Sequence, residues 1–251
     1  MTTDVGHAPF LLLSIRAEDA AADDEYAAMM RFAGLDTDGM HRIRLTHRSL
    51  GEIDLTDWSG VILGGGPYNV SDDPDSKSQT QRRVESELLP LIGRIVDHDF
   101  PFLGCCYGVG TLGSVVGATV DRTYSEPVGA MTVTLTEQGR RDPLFVDLPH
   151  VFDAYGGHKE GASALPSDLA CLAYSADCPI QAFRVGENVY ATQFHPELDA
   201  DGMSMRIDVY KDYGYFAPET AKSLKSAARQ RSVQHPPTIL RRFAERYAQQ
   251  A

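Results

Sequence analysis

Four cysteines in 251 residues, two of them adjacent, make no disulfide framework, and no C-x-x-C pair offers a zinc site. They suit a reducing compartment. Positive charge is short as well: 23 lysines and arginines stand against 35 aspartates and glutamates, a formal charge of −12. That balance argues against nucleic acid as a main partner and against an anionic membrane surface. Long apolar runs are also missing. Phe10 to Ile15 is short and lacks a basic n-region, and nothing approaches the ~18 residues of a membrane span. The expectation is a soluble, cytoplasmic protein. A chain of this length in one domain buries roughly three-quarters of its unfolded surface, so it needs no metal or disulfide for stability.

What is present is a pattern centred on one cysteine. The apolar run Phe100 to Leu103 ends in Gly104-Cys105-Cys106-Tyr107-Gly108 and passes into a small, apolar segment from Thr111 to Val116. Strand, sharp turn and helix in that order, with glycines two residues either side of Cys106, form a nucleophile elbow. Such an elbow lifts the sulfur above the strand end and aims it at the positive end of the next helix, which favours thiolate. Cys105 fits less well, because its flanking positions would be Leu103 and Tyr107. A buried cysteine acting as a small hydrophobe is the ordinary alternative. Gly108-Val-Gly110-Thr-Leu-Gly113 also matches a dinucleotide fingerprint, but four residues separate it from its strand and no second strand ending in an acid follows.

In chain order, Phe10–Ile15 reads as a buried strand. A helix follows, with Tyr26, Met29, Met30 and Ala33 on one face and Gly34 as its cap. His41–Leu45 and Gly60–Leu63 are further strands. A longer helix carries Val84, Leu88, Ile92 and Ile95, with a kink or restart expected at Pro90. Alternating strands and helices imply parallel pairing. Arg122 to Pro127 is loop-like. Met131–Thr136 alternates as an antiparallel strand, and short strands are expected within 168–174, 180–185 and 189–194. Beyond these, Met203–Tyr213 reads as helix and Ser223–Gln234 as a polar, basic, mobile stretch. A last helix places Leu240, Phe243 and Tyr247 on one face. The aromatics Tyr210, Tyr213, Tyr215 and Phe216 read as packing. The whole is expected to be one domain over residues 1–251, with a motif-bearing core at 10–197 and a C-terminal helical extension at 198–251. Its fold class is a three-layer α/β/α, flavodoxin-like, mostly parallel sheet with helices on both faces and a small antiparallel extension.

Two further stretches bear on Cys106. Gly64-Gly65-Gly66-Pro67 follows a strand directly; no Gly-Lys-Ser/Thr completes a P-loop, so an oxyanion hole is the better use, with one N–H from this loop and one from Tyr107. The acidic loop Ser71 to Asp75 reads as solvated surface that could also cover the site. Gln193-Phe-His195-Pro-Glu197 places a histidine and a carboxylate two residues apart across a proline, where both point the same way in extended chain. Glu197 would accept from one ring nitrogen of His195 while the other faces the sulfur.

Gly64-Gly-Gly-Pro67, Pro101-Phe-Leu-Gly-Cys-Cys-Tyr-Gly108 and Gln193-Phe-His-Pro-Glu197, in that order, resemble class I (triad-type) glutamine amidotransferases, and most of all the glutaminase domain of GMP synthetase and its stand-alone relatives. The resemblance runs from about Phe10 to Glu197, supported by Gly156-Gly-His158-Lys-Glu160 and Cys178-Pro-Ile-Gln-Ala-Phe183. It implies Cys106 as nucleophile, His195 as general base and acid, Glu197 as its orienter, and Gly66 with Tyr107 as oxyanion donors. Backbone near Tyr68 and in the His158-Lys159 segment would hold the substrate's α-amino and α-carboxylate groups. The reaction implied is hydrolysis of the glutamine side-chain amide through a γ-glutamyl thioester, with ammonia passing to a separate synthase, and with no cofactor or metal. Two departures stand out. Val109-Gly110 replaces the family's common His-Gln, which leaves room for another γ-glutamyl substrate and so for a γ-glutamyl hydrolase or peptidase. No Ser-Gly-Gly-x-Asp-Ser phosphate loop is present, so an ammonia acceptor would lie elsewhere. A catalytically silent regulatory subunit is the alternative of another class.

Overall fold

The leucine-rich segment Phe10–Ser14 forms the first strand, β1, and all five of its residues are buried. A strand with both faces buried belongs at the centre of a sheet covered on two sides. In this computed structural model, which describes residues 8–248, alternate β1 side chains divide between two cores. Phe10 and Leu12 join one apolar cluster, and Leu11 and Leu13 the other. The two ends of the expected domain, residues 1–7 and 249–251, lie outside the described residues.

After β1 come α1 (Asp19–Ala33), β2 (Met40–Arg44), β3 (Gly60–Leu63), α2 (Gln79–Asp97), β4 (Phe102–Cys105) and α3 (Tyr107–Val116). Gly34 caps α1 in the left-handed conformation at φ 75°, as its position predicts. Helix α2 runs through Pro90 without a restart; Leu88, Leu91, Ile92 and Ile95 on either side of the proline are buried. The second half contributes β5 (Thr119–Asp121), β6 (Glu126–Leu135), β7 (Val151–His158), β8 (Gly161–Ala164), β9 (Ala170–Ser175), β10 (Ala182–Val185) and β11 (Val189–Thr192). The loop expected over 122–127 is shorter than that, because Glu126 and Pro127 already belong to β6, where Glu126 pairs with His158. Helices α4 (Ala200–Tyr210), α5 (Ala221–Gln230) and α6 (Pro237–Tyr247) complete the chain.

Among the described residues the main sheet has nine strands in the order β2-β1-β3-β4-β11-β10-β9-β6-β7, and β5 and β8 form a separate ribbon. The pairings from β2 to β11 are parallel, and those from β11 to β7 are antiparallel. The fold is thus the three-layer, flavodoxin-like arrangement, with a four-stranded antiparallel extension. Helices α1 and α6 cover one face of the parallel part, α2 and α3 the other. No helix among the described residues is long and apolar enough to cross a membrane.

The stretch expected to be mobile, 223–234, is largely helical. Ala221, Leu224 and Ala228 of α5 pack beside Met203, Ile207 and Tyr155, and Tyr155 Oη donates to the Ala228 carbonyl at 2.7 Å. Its polar composition belongs to the outer face. Asp199 proves to be a helix cap, its carboxylate accepting from Gly202 N–H at 2.8 Å.

Helix α6 lies well beyond the last motif in sequence, yet it is built into the core. Phe243 is fully buried and its ring centroid lies 5.8 Å from that of Phe10 on β1. Phe243→Ala is therefore expected to lower unfolding free energy by about 3–5 kcal/mol, read from urea denaturation. A loss below about 1 kcal/mol would show that α6 is only loosely applied to the sheet.

Candidate active site

The site is assembled at the carboxyl ends of the parallel strands, where open α/β sheets place their ligands. Strand β4 ends at Cys105 and α3 begins at Tyr107, leaving Cys106 alone to turn the chain at φ 56°, ψ −86°. A positive φ at a non-glycine residue costs on the order of 1–3 kcal/mol and persists only where its surroundings fix it. Here Cys106 N–H donates to the Thr192 carbonyl at 2.7 Å and the Cys106 carbonyl accepts from Val109 N–H at 2.9 Å. The glycine requirement is one-sided. A methyl on Gly104 would stand 2.8 Å from the Gly108 Cα, whereas one on Gly108 would meet nothing within 4 Å. Cys105 is fully buried, and burial pushes its thiol well above the usual value. It packs in the core with Leu103 and Tyr190.

His195 arrives from the adjacent strand. β11 runs parallel to β4 with Thr192 opposite Cys105, and past its end His195 N–H donates to the Tyr155 carbonyl at 2.9 Å. Its ring Nδ1 lies 2.7 Å from Glu197 Oε1. The ring and Cys106 close over Gly65: a methyl there would collide with His195 Cε1 and stand 3.3 Å from its Nε2 and 3.2 Å from Cys106 Cβ. Gly64 and Gly66 are held to glycine by the Glu25 carboxylate and the Ile15 side chain, each 2.6 Å from where a methyl would sit. The triple glycine thus lets three side chains pack directly against the turn. Gly66 lines the space beside Cys106, and Tyr107, as the first residue of α3, has an N–H with no acceptor inside the helix.

Burial of the His195 ring works against its charged form, but the Glu197 carboxylate and the Cys106 sulfur outweigh it and raise the ring to about 9. Burial would raise Glu197 too; His195, then Arg206 and Arg16, hold it below the usual carboxylate range instead. An imidazole oriented by a carboxylate, next to a sulfur on a strained turn, can move a proton between that sulfur and a substrate nitrogen.

Two cavities share Gly66, Cys106, Gly157 and Tyr215. The smaller is lined by all three residues expected at the substrate, Tyr68, His158 and Lys159. The His158 ring is already engaged, Nδ1 with the Glu160 carbonyl at 2.8 Å and Nε2 with Glu126 at 2.7 Å, so only its backbone remains for a ligand. Glu126, His158 and Cys178 are close enough to suggest a metal site. Ser175 Oγ also donates to Glu126 at 2.7 Å, and burial pushes the Cys178 thiol up to about 11. The cluster is a closed hydrogen-bond network joining β6, β7 and the turn before β10.

Arg16, Arg206 and Tyr215 join the site without a motif to mark them, and Glu160 and Gln193 join it from the ends of two motifs that assigned them no role. Glu160 explains Gly110: its carboxylate occupies the place where a methyl on Gly110 would be, and it accepts from Val70 N–H at 3.0 Å and from Ser71 N–H. The acidic loop is therefore anchored beside the site at its first residue. Gln193 Nε2 stands 4.0 Å from the Cys106 sulfur. Tyr210, Tyr215 and Phe216, which read as packing in the sequence, line the larger cavity. A charge two residues after a fully buried central strand was the available signal for Arg16; Tyr215 had none.

The His195 ring is expected to titrate near 9 by imidazole NMR, and lower than that in Glu197→Gln. Because the folded value lies above the unfolded ~6.5, its contribution to stability is complete below about 6.5 and fades as pH rises through about 9. A ring that titrates near 6.5 in both proteins would contradict this electrostatic reading.

Known proteins supply an independent comparison. The family model for class-I glutamine amidotransferases matches residues 39–207, well over half of the chain. One relative, a component chain of the glutamine-hydrolysing GMP synthase from Thermoplasma acidophilum, is 26% identical over 172 residues, covering 68% of this chain and 76% of that protein. The glutamine-hydrolysing GMP synthase from Porphyromonas gingivalis is 32% identical over 146 residues, covering 58% of this chain but only 26% of its own length. In fold, the chain is similar to a glutamine amidotransferase from Thermotoga maritima, with TM-score 0.75, 23% identity, and 97% and 100% of the two chains covered. The chain belongs to the class-I glutamine amidotransferase family.

Proposed function

We propose that this protein hydrolyses the side-chain amide of glutamine through a γ-glutamyl thioester on Cys106, as the glutaminase component of an ammonia-using system. The observation that carries the reading is the convergence of Cys106, His195 and Glu197 around Gly65. The sulfur attacks the γ-carbonyl carbon, and the negative charge that develops on oxygen is received by the N–H groups of Gly66 and Tyr107. A ring raised to about 9 is protonated at neutral pH, so it already carries the proton that the departing nitrogen needs. The neutral ring left behind then takes a proton from water, the hydroxyl adds to the thioester carbonyl, and the C–S bond breaks to free glutamate and return the sulfur and the protonated ring to their starting state. The glutamyl part of the substrate occupies the smaller cavity, its α-amino and α-carboxylate groups held by backbone near Tyr68 and at His158-Lys159.

Relatives named as GMP synthases, one of them as a component chain of such an enzyme, support a separate synthase as the recipient of the ammonia. A second reading, hydrolysis of another γ-glutamyl compound with the same triad, is favoured by the second cavity on which Cys106 also opens. A catalytically silent regulatory role is disfavoured by the strained backbone at Cys106, which simple packing would not require.

A glutamine-mimicking electrophile is expected to modify wild type once per chain, at Cys106, and Cys106→Ala to lose glutaminase activity by at least about 10³-fold. Modification at Cys105, or none in a demonstrably folded protein, would count against the assignment. Free ammonia release is the weaker readout, since an amidotransferase of this kind is often nearly idle without its synthase.

A further inference from the structure

The match to the family model ends at residue 207, yet Tyr215, beyond it, lines both cavities at Cys106. It stands in the turn between α4 and α5. Gly214 turns the backbone there at φ 73°, and the tyrosines on its two sides go separate ways. Tyr213 is 45% exposed and donates to Glu18, while Tyr215 reaches the cavities. Behind Tyr215 lies Tyr210, with the two ring centroids 6.5 Å apart. Tyr210 is buried and fixed at its hydroxyl, which accepts from Arg16 Nη1 at 3.1 Å and donates to Glu18 at 3.0 Å.

The ring of Tyr215 also carries a charge above it: Lys159 Nζ stands 4.4 Å from the ring centroid. Three ionisable side chains of the 158–160 segment line the smaller cavity, and two of them are engaged. His158 uses both ring nitrogens on Glu160 and Glu126, and Glu160 uses its carboxylate on the N–H groups of Val70 and Ser71. Lys159 has no hydrogen-bond acceptor and no carboxylate partner among the described residues. The turn confines it further, since a methyl on Gly214 would stand 3.9 Å from the same Nζ. A ring face attracts an ammonium only modestly and leaves N–H donors unspent, because an ammonium has three. A carboxylate is the stronger partner, through charge-assisted hydrogen bonds.

We infer that Tyr215 is a positioning residue: its ring holds the Lys159 ammonium on the wall of the smaller cavity, where that ammonium receives the α-carboxylate of the glutamyl group. This role rests on the proposed glutamyl site and adds a side-chain cation to the backbone contacts there. It also gives the C-terminal extension a part in substrate binding, from a turn that lies outside the segment matched by the family model.

The test uses the chloroketone analogue of glutamine and its α-methyl ester, which differ in the charge of the carboxylate. Second-order rates of Cys106 labelling are measured for wild type and for variants at both positions. Wild type is expected to react faster with the acid than with the ester. Lys159→Met should cut that preference by about tenfold or more, the least that a hydrogen bond to a charged group contributes, and Lys159→Arg should keep part of it. Tyr215→Leu should cut it by about two- to fivefold, the range of an exposed cation–π contact. Tyr215→Phe, which retains the ring face, should keep it, and Tyr215→Leu should change nothing further in a Lys159→Met background. A merely structural role would slow both reagents alike and leave the preference unmoved. An undiminished preference in Lys159→Met or in Tyr215→Leu would overturn the inference. Calorimetry of glutamine binding to Cys106→Ala reads the same recognition without the sulfur. Binding weakened about tenfold by adding Lys159→Met would sustain it even if neither reagent labelled Cys106 in wild type, a result that would refute the thioester instead. Binding that Lys159→Met leaves unchanged, or no binding to Cys106→Ala at all, would overturn it.

Discussion

The backbone of Cys106 is the constraint on which the rest of the site depends. At φ 56° it cannot relax into strand or helix, because it is tied to Thr192 on the neighbouring strand and to the first turn of α3. The same tie fixes what faces the sulfur. Parallel pairing sets Thr192 opposite Cys105, so the chain that continues from Thr192 reaches His195 within three residues, at the same end of the sheet. Distant parts of the sequence meet because two central strands share a register, and the helix that follows the cysteine presents its N-terminal amides to the same point.

Around this centre the packing leaves little slack. Each residue of the 64–66 turn is glycine because a carboxylate, an imidazole or an isoleucine occupies the place of its side chain. Gly110 is glycine because Glu160 reaches across to hold Val70 and Ser71. Behind the imidazole lies a buried ionic layer, in which Glu197 is held ionised by His195, Arg206 and Arg16 and Arg16 in turn leans on Glu25 and Tyr210. Buried charges this dense are stable only when paired, and Arg206 is the member least completely paired.

Much of this was legible in the sequence, for identifiable reasons. Phe10–Ser14, Gly60–Leu63 and Phe102–Cys105 are apolar without alternation and bounded by turn residues, so they read as central strands. The cysteine elbow and the His195-Pro-Glu197 pair are local geometries carried by adjacent residues. What was not legible depends on contacts between segments far apart in the chain. Glu160 against Gly110, Arg206 behind Glu197, and Tyr215 over the cysteine leave no periodic trace. The stretch 223–234 reads as mobile because its polar residues outnumber the few apolar ones that anchor α5 on Tyr155 and Met203. Pro90 reads as a kink or a restart, and burial on both sides of it keeps the helix continuous through a missing hydrogen bond.

The central claim is that the sulfur of Cys106 becomes acylated in the course of the reaction. Acid quenching during turnover of a γ-glutamyl amide, followed by peptide mapping, tests it directly. The account predicts a γ-glutamyl group on the peptide containing Cys105 and Cys106, retained in Cys105→Ala and absent in Cys106→Ala. An adduct that persists without Cys106, or active turnover with no adduct at any quench time, would contradict it.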